Sequence, residues 1–262
     1  MLGCVINVSE GRDGPTLAAI VASAGAALLD VHRDAHHNRA VLTLAGPDVE
    51  AAAERVAAAA MRAIDLRVHE GVHPRIGAVD VVPFVPLVDA TLLDAIAARD
   101  RFARWAATTL ELPCFLYGPE RSLPDVRRNA FRGLAPDLGP ARPHPTAGAV
   151  AVGARDVLVA YNVWLATPDV DRARAAAKAV RGPAVRALGL AVGDRAQVSM
   201  NLIDPARLGP AEAYDLVAAE ASVAGAELVG LVPRWVLDAV PPARWVELDL
   251  SADRTIEARL AG

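Results

Sequence analysis

The pattern of apolar and polar positions in the first part of the chain predicts alternating strands and helices. Short apolar runs bounded by polar residues are typical of buried strands, whereas apolar residues three or four positions apart indicate one face of a helix. These rules predict strands at 2–8, 27–31, 40–44 and 78–85, and helices at 15–24 and from Pro47 onward. The resulting order, strand, helix, strand, strand, helix, strand, is that of ferredoxin-like folds. Pro83 and Pro86 indicate an edge position or a strand end for the fourth strand.

The middle of the chain continues with a helix at about 89–110 and a strand at 113–117. From Gly118 to Gly153 the sequence is rich in Pro, Gly and Arg, with some local helix near 125–131. Such a stretch is too long for an ordinary connection between elements. It is interpreted as a linker or a functional loop.

The second part of the chain repeats the order of the first. Strands are predicted at 157–164, 185–192, 197–203 and 228–232, and helices at 170–180, capped by Thr167, and around 214–221. Gly193-Asp194 predicts a tight hairpin between the second and third of these strands. We therefore expect an α+β protein of two tandem ferredoxin-like βαββαβ sandwich subdomains, residues 1–153 and 154–262. A cleft or tunnel between two such subdomains is where small molecules often bind.

Composition narrows the class of protein. Of the 262 residues, 53% are hydrophobic and 22% charged, which is typical of a globular chain. The net charge of −4 without a basic block argues against nucleic acid as a partner. No signal peptide and no membrane-spanning run is recognised, and Cys4 and Cys114 lie in apolar runs that favour buried free thiols. A cytoplasmic protein without membrane partners is the expectation.

The segment His69-Glu70-Gly71-Val72-His73 fits the H-E-x-x-H pattern of zinc proteases. That pattern binds zinc only on a helix, where both histidines share one face. Gly71 within the pattern and Pro74 directly after it disfavour a helix, so no zinc site is predicted here. A metal site built from His32, His36, His37 and the later pair stays an alternative, against the simpler interpretation that His36 and His37 lie in a loop before a strand.

The segment from Gly71 to Asp80 is the most informative part of the chain about function, because it concentrates residue types used in catalysis and binding. It combines His73, Arg75 and Asp80 with two glycines and a proline. Glycine lets the backbone approach a ligand and proline restricts the neighbouring histidine. From residue types alone, His73 is either a catalytic group or a residue that caps the following strand.

This segment resembles the His-Pro-Arg-x-Gly-Ala-x-Asp motif of the formiminotransferase family. Other motifs agree in order, including 7–12 (Asn-Val-Ser-Glu-Gly-Arg), 37–39 (His-Asn-Arg), 144–149 (His-Pro-Thr-Ala-Gly-Ala), 197–202 (Gln-Val-Ser-Met-Asn-Leu) and 227–233 (Glu-Leu-Val-Gly-Leu-Val-Pro). The resemblance runs from about residue 3 to residue 240 and does not extend to the cyclodeaminase domain of fused members.

The resemblance implies a homodimeric glutamate formimidoyltransferase that moves a formimino group from N-formimino-L-glutamate to tetrahydrofolate, without a metal, in histidine degradation and one-carbon metabolism. By the same resemblance His73 matches the catalytic histidine. The matching folate-binding loop comprises Gly139, Pro140, Ala141, Arg142, Pro143, His144, Pro145, Thr146, Ala147 and Gly148.

The remaining candidates follow from the chemistry of the two substrates. Both carry carboxylates, which guanidinium groups bind in a two-pronged manner, so Arg12, Arg39 and Arg75 are candidate substrate-binding residues. A protonated formimino group is cationic, so Glu10 and Asp80 are candidates to stabilise it, and Asp80 is also a candidate to orient His73. Two alternatives stay open at this stage: a folate-binding relative that is non-catalytic or uses another formyl or formimino donor, and a metal-dependent hydrolase.

Overall fold

A computed structural model describes residues 1–72 and 74–262 of the chain. The chain divides into two compact units, Met1–Asp156 and Val157–Gly262, and each unit has its own sheet and its own hydrophobic core. Both units mix helices with mainly antiparallel strands. The predicted α+β class with two tandem units is thereby confirmed.

The first unit begins with the predicted βαββαβ order and then extends it. Its elements are β1 (Leu2–Val8), α1 (Gly14–Ala22), β2 (Leu28–Asp34), β3 (Arg39–Ala45), α2 (Val49–Ala63), β4 (Val79–Pro86), α3 (Leu92–Thr109), β5 (Cys114–Tyr117), α4 (Leu123–Asn129) and β6 (Val150–Ala154). The sheet order is β2-β3-β1-β4-β6-β5. The helical spacing seen in the sequence is the buried face of α2, which packs Val49, Ala52 and Val56 into the core.

The prediction of an edge position for β4 is wrong, because β4 lies between β1 and β6. In the pairing of β1 with β4, Cys4 lies opposite Phe84 and Asn7 opposite Val81, and Pro83, which has no N–H, falls between these two pairs. The chain accommodates the proline inside the sheet where the ladder is interrupted. Pro86 ends the strand, as the second predicted alternative has it.

Strand β6 was not predicted, because its residues fall in the stretch assigned to a Pro- and Gly-rich connection. All five of its residues are buried, so it shows no alternation of apolar and polar positions. It pairs in parallel with both β4 and β5, so the end of the 118–153 stretch belongs to the sheet. The predicted local helix in this stretch is α4, at Leu123–Asn129.

The second unit has the βαββαβ order followed by two short helices. Its elements are β7 (Val159–Leu165), α5 (Val170–Val180), β8 (Val185–Val192), β9 (Arg195–Leu202), α6 (Pro210–Glu220), β10 (Val223–Val229), α7 (Arg234–Asp238) and α8 (Ile256–Ala261). The β8–β9 hairpin is confirmed, with Gly193 at φ 60° in its turn. The predicted cap Thr167 is wrong: Asp169 caps α5, and its side chain accepts a hydrogen bond of 2.8 Å from the backbone N–H of Arg172.

Among the described residues we find no helix with the length and apolar character needed to cross a bilayer.

Candidate active site

Four loops of the first unit meet where β1 ends and β4 begins. We name them the Ser9 turn (residues 9–13), the hairpin loop between β2 and β3 (35–38), the histidine segment (66–77) and the glycine loop (139–148). Antiparallel pairing of β1 with both β3 and β4 brings the end of β1 beside the starts of its two neighbours. The backbone N–H of Ser9 donates to Ala78 at 2.8 Å, which fixes the Ser9 turn against the start of β4.

Glu10 organises the Ser9 turn. Its Oε1 accepts hydrogen bonds from the backbone N–H groups of Arg12 at 2.7 Å and Asp13 at 2.8 Å. Asp13 then caps α1, so the turn leads directly into a helix. Glu10 is only 9% exposed, and a carboxylate at such burial needs these donors to offset its lost hydration.

Arg12 and Arg75 together hold the hairpin loop through its backbone carbonyls. Arg12 donates from Nε to Ala35 O at 2.8 Å and has a longer contact of 3.4 Å from Nη2 to the next carbonyl. Arg75 donates from Nη2 to His37 O at 2.9 Å and from Nη1 to Asn38 O at 3.1 Å. Four consecutive carbonyls of the hairpin loop thus face two guanidinium groups that the sequence suggested for substrate binding.

Asn38 links three of the loops. Its backbone adopts the left-handed conformation, with φ 49°, which asparagine tolerates better than most residues. Its Oδ1 accepts from the N–H of Gly11 at 2.9 Å, and its Nδ2 donates to Glu70 O at 2.8 Å. The side chain therefore bridges the Ser9 turn and the histidine segment.

Arg39 and Asp80 lie close to these loops, on the strands β3 and β4 that flank β1. Arg39 donates from Nε to Asn7 Oδ1 at 3.1 Å. Burial lowers the pKa of Arg39 to about 10, although the charge of Asp80 opposes the shift, so the guanidinium stays charged at neutral pH. Asp80 is 1% exposed; its Oδ1 accepts from the N–H of Ile76 at 2.8 Å and its Oδ2 from Arg127 at 2.5 Å.

The histidine segment is irregular over its described residues. Residues 69–72 form no helix, which agrees with the prediction that the H-E-x-x-H pattern is not helical here. His73, the predicted catalytic residue, lies outside the described residues. His69 lies 2.9 Å from Arg75 Nη1 through Nδ1. Burial and then the charge of Arg75 lower the pKa of His69, so this imidazole is neutral at pH 7.

The glycine loop docks its second half against the histidine segment. The N–H of Ala78 donates to Ala147 O at 2.9 Å and the N–H of Ala149 donates to Ile76 O at 2.8 Å. Gly77 permits this approach, since a Cβ there would lie 1.8 Å from Ala149 O. Gly139 through Pro143 are exposed, whereas Ala147 is buried. The two segments proposed for proton transfer and for folate are therefore neighbours joined by backbone hydrogen bonds.

A pocket of about 420 Å³ opens between the Ser9 turn and the histidine segment. Its polar lining includes Glu10, Arg12, Asn38, His69 and Glu70. The volume falls in the range of roughly 300–1,000 Å³ common for small-molecule sites. Of the candidate residues, Glu10 and Arg12 line this pocket, whereas Asp80 lies beneath the loops with both oxygens bound.

One of the clustered histidines, His37, forms a hydrogen-bonded pair with a carboxylate. His37 Nδ1 lies 2.5 Å from Asp34 Oδ2, and the backbone N–H of His37 donates to Asp34 Oδ1 at 2.8 Å. Burial alone would raise the pKa of Asp34, but the hydrogen bonds from His37 outweigh it and lower that pKa to about 2. Within residues 1–72 and 74–262, no group of three or more His, Cys, Asp or Glu side chains is arranged to hold a metal ion.

Comparison with known families assigns the chain. A family model described as the N-terminal subdomain of the formiminotransferase domain matches residues 1–155. The chain belongs to the formiminotransferase family. The matched stretch contains all four loops of the candidate site, so the site is built within this formiminotransferase subdomain.

Relatives of this formiminotransferase chain extend the similarity beyond the matched subdomain. The glutamate formimidoyltransferase of Streptococcus pyogenes is 38% identical over 263 residues, covering 88% of each chain. That of Thermoplasma acidophilum is 34% identical and covers 90% of this chain and 89% of its own. The formimidoyltransferase-cyclodeaminase of Sus scrofa is 34% identical over 91% of this chain but only 51% of its own length. The similarity to the fused protein is thus confined to about half of it.

Sequence reasoning missed three polar residues of the site. Asn38 was quoted only within the 37–39 motif, and His69 only within the zinc pattern and the alternative metal site, although both line the pocket. Arg127 was not singled out, although it binds Asp80. The left-handed preference of asparagine in a tight loop was a usable signal for Asn38. Arg127 precedes a second arginine on a short helix, and spacing alone does not show which of the two points inward.

Proposed function

We propose that this chain is a glutamate formimidoyltransferase, an enzyme that transfers the formimino group of N-formimino-L-glutamate to tetrahydrofolate. The observation that carries the proposal is the alignment with the Streptococcus pyogenes enzyme of that name over 88% of both chains. The geometry supports it, because a polar pocket of substrate size lies beside the histidine segment. The function belongs to histidine degradation and one-carbon metabolism.

The reaction requires one proton to leave the attacking folate nitrogen and, in a second transfer, to reach the departing glutamate nitrogen. The ring N–H of tetrahydrofolate attacks the formimino carbon, and a carbon–nitrogen bond forms as the electrons of the C=N bond pass to the imino nitrogen. The tetrahedral intermediate then collapses: the electrons on the imino nitrogen re-form the C=N bond, the bond from carbon to the glutamate nitrogen breaks, and that nitrogen leaves as an amine after taking the proton that the folate nitrogen released. We assign the acceptance and return of this proton to His73, because an imidazole titrates near neutral pH.

The pocket lining supports roles for Arg12 and Glu10 in binding the donor. Arg12 lines the pocket, and within the described part of the chain its two Nη atoms contact backbone carbonyls at the long distance of 3.4 Å. A substrate carboxylate is a stronger acceptor than a carbonyl and can draw these donors to itself. The buried carboxylate of Glu10 places negative charge on the pocket wall, where it favours a protonated formimino group.

The two other candidate arginines, Arg39 and Arg75, are assigned supporting roles. Arg75 donates to the hairpin loop and lies within hydrogen-bond distance of His69, and we propose that it contributes to substrate binding through the shape of that loop. Arg39, at the start of β3, contributes positive charge close to these loops. For tetrahydrofolate we propose the glycine loop, Gly139 to Gly148, whose exposed first half adjoins the docked second half.

The proposal extends to the setting in which the enzyme works. We propose a homodimer in the cytoplasm. Cys4 and Cys114 are buried free thiols, and burial raises the pKa of both, which suits a reducing compartment. The dimer rests on the family resemblance and is tested by light scattering on the purified protein.

The test of function is a direct assay. Purified protein is mixed with tetrahydrofolate and formiminoglutamate, and the cyclised folate product is followed by its absorbance after acid treatment. Product that depends on both substrates is the expected result. Folate binding without product would replace the proposal by a non-catalytic binder or another donor, and neither product nor binding would overturn it.

A further inference from the structure

Helix α4 carries an arginine that ties together the backbone on both sides of Arg75. Arg127 donates from Nη1 to the carbonyl of Pro74 and from Nη2 to Asp80 Oδ2 at 2.5 Å. Asp80 in turn accepts from the N–H of Ile76 at 2.8 Å. One ion pair therefore holds residues 74 and 76, and residue 74 is bonded directly to His73.

The ion pair is positioned to act as a rigid support. The side chain of Asp80 is 2% exposed and that of Arg127 is 20% exposed, so water competes little for either group. A guanidinium presents its N–H donors in a fixed plane, so it can bind a carbonyl and a carboxylate at once in one geometry. A lysine ammonium on a flexible stem lacks this fork.

Helix α4 is itself well anchored. Ser122 and Asp125 form a capping box at its start, and Val126 is fully buried in a small core with Phe115, Tyr117 and Ala151. The neighbouring residue Arg128 has a different setting. It pairs with Asp125 at 3.2 Å on the surface, where the two side chains are 69% and 47% exposed.

We infer that Arg127, through its ion pair with Asp80, is a positioning residue for the transfer reaction, which holds the segment after His73 in its working geometry. The inference rests on the proposed function for the reaction that it serves. It gives helix α4, within a stretch that resembles a connection, a role in the active site. It also gives Asp80 a role that needs no contact with substrate.

The test compares Arg127→Met and Arg127→Lys with the matched control Arg128→Met on the same helix. A displacement of about 1 Å in a reacting group can cost on the order of 100-fold in rate. We expect Arg127→Met to lower kcat on that order while KM for both substrates changes little. Arg127→Lys is expected to recover part of the loss, because it restores the charge but not the fork, and Arg128→Met to leave kcat and KM unchanged.

A second measurement tests the support without relying on turnover. Hydrogen exchange of the Ile76 amide is expected to speed up in Arg127→Met and in the milder Asp80→Asn, relative to Arg128→Met. If the unsubstituted chain forms no product, the proposed function fails and exchange at Ile76 decides whether the ion pair holds the segment. Equal kcat in Arg127→Met and Arg128→Met in an active enzyme would overturn the inference, as would unchanged exchange at Ile76 or a loss confined to KM.

Discussion

The two units share a strand order and differ in where they bury polar groups. The sheet of the second unit, β10-β7-β9-β8, repeats the order β4-β1-β3-β2 of the first. Among the described residues, the buried polar side chains of the first unit are Asn7, Ser9, Glu10, Asn38, Thr43, Asp80 and Arg99, whereas those of the second are Gln197 and Thr255. All six histidines also lie in the first unit, at 32, 36, 37, 69, 73 and 144.

The difference in buried polar side chains distinguishes residues that build the fold from residues proposed for the chemistry. Burying a polar group costs free energy unless it is paired, so such groups persist where they serve a purpose. Since histidine is the side chain whose ordinary pKa lies near neutral pH, the proposal of His73 as the proton-handling residue places that step in the first unit. The shared topology accounts for the two sheets, while the polar loops at the end of β1 are where we propose that the chemistry takes place.

The largest expected effect comes from His73→Ala. If the first unit supplies the proton-handling group, turnover should fall by roughly 100- to 10,000-fold, the usual worth of acid–base help. Folate affinity should change little, because the imidazole is assigned to proton transfer. Steady-state kinetics and a folate titration measure the two quantities. His36→Ala is the control, and equal activity of the two variants would remove the catalytic assignment.

The next effect compares an ion pair in each unit. Asp80→Ala leaves Arg127 without its buried carboxylate and should cost about 3 kcal/mol of unfolding free energy. In the second unit, Asp215→Ala breaks the pair with Arg244, whose side chains are 58% and 29% exposed, and should cost less than about 1 kcal/mol. Denaturant unfolding measures both. Asp80→Asn provides a graded variant if the alanine variant does not fold, and similar costs in the two units would contradict the contrast.

A smaller effect compares an arginine in each unit. Arg75→Lys loses the fork that holds two carbonyls of the hairpin loop and should cost about 1–2 kcal/mol. Arg195 lies over the ring of Trp164 at 4.1 Å, a contact that a lysine can also make, so Arg195→Lys should stay within about 0.5 kcal/mol. Thermal unfolding of each variant, compared with the unsubstituted chain, measures the two changes in stability. A cost for Arg75→Lys no larger than about 0.5 kcal/mol would mean that the hairpin loop does not depend on the fork of Arg75.

Much of the fold was predictable because its pattern is local. Strand β1 and helix α2 follow from the spacing of apolar residues, and the β8–β9 hairpin from Gly193. Strand β6 was missed because its short apolar run directly follows a Pro- and Gly-rich stretch and was counted as part of that connection. The cap of α5 was assigned two positions too early, because Thr167 and Asp169 are both good capping residues.

The site was predictable in its residue types but not in its contacts. Motifs pointed to Arg12, Arg75 and Asp80, yet their partners come from distant parts of the chain. The carbonyls that Arg75 binds belong to a loop shaped by the left-handed Asn38, and the partner of Asp80 comes from helix α4. Such pairings depend on tertiary geometry, which residue spacing does not contain.

The smallest effect is a difference in how stability depends on pH. Burial and the charge of Arg75 lower the pKa of His69 from its ordinary value of 6.5, so the unfolded chain binds a proton here more readily than the folded chain. Stability at this site is therefore unaffected by His69 titration above about pH 6.5 and is lost as the pH falls below that value. His69→Gln keeps a donor and an acceptor without this titration, so its unfolding free energy should fall less steeply over that range. Val68→Gln, at a neighbouring position that is 82% exposed, is the control and should keep the original slope. Denaturant unfolding at a series of pH values gives the slopes, and identical slopes for His69→Gln and the unsubstituted chain would show that His69 is not held neutral by the loops of the first unit.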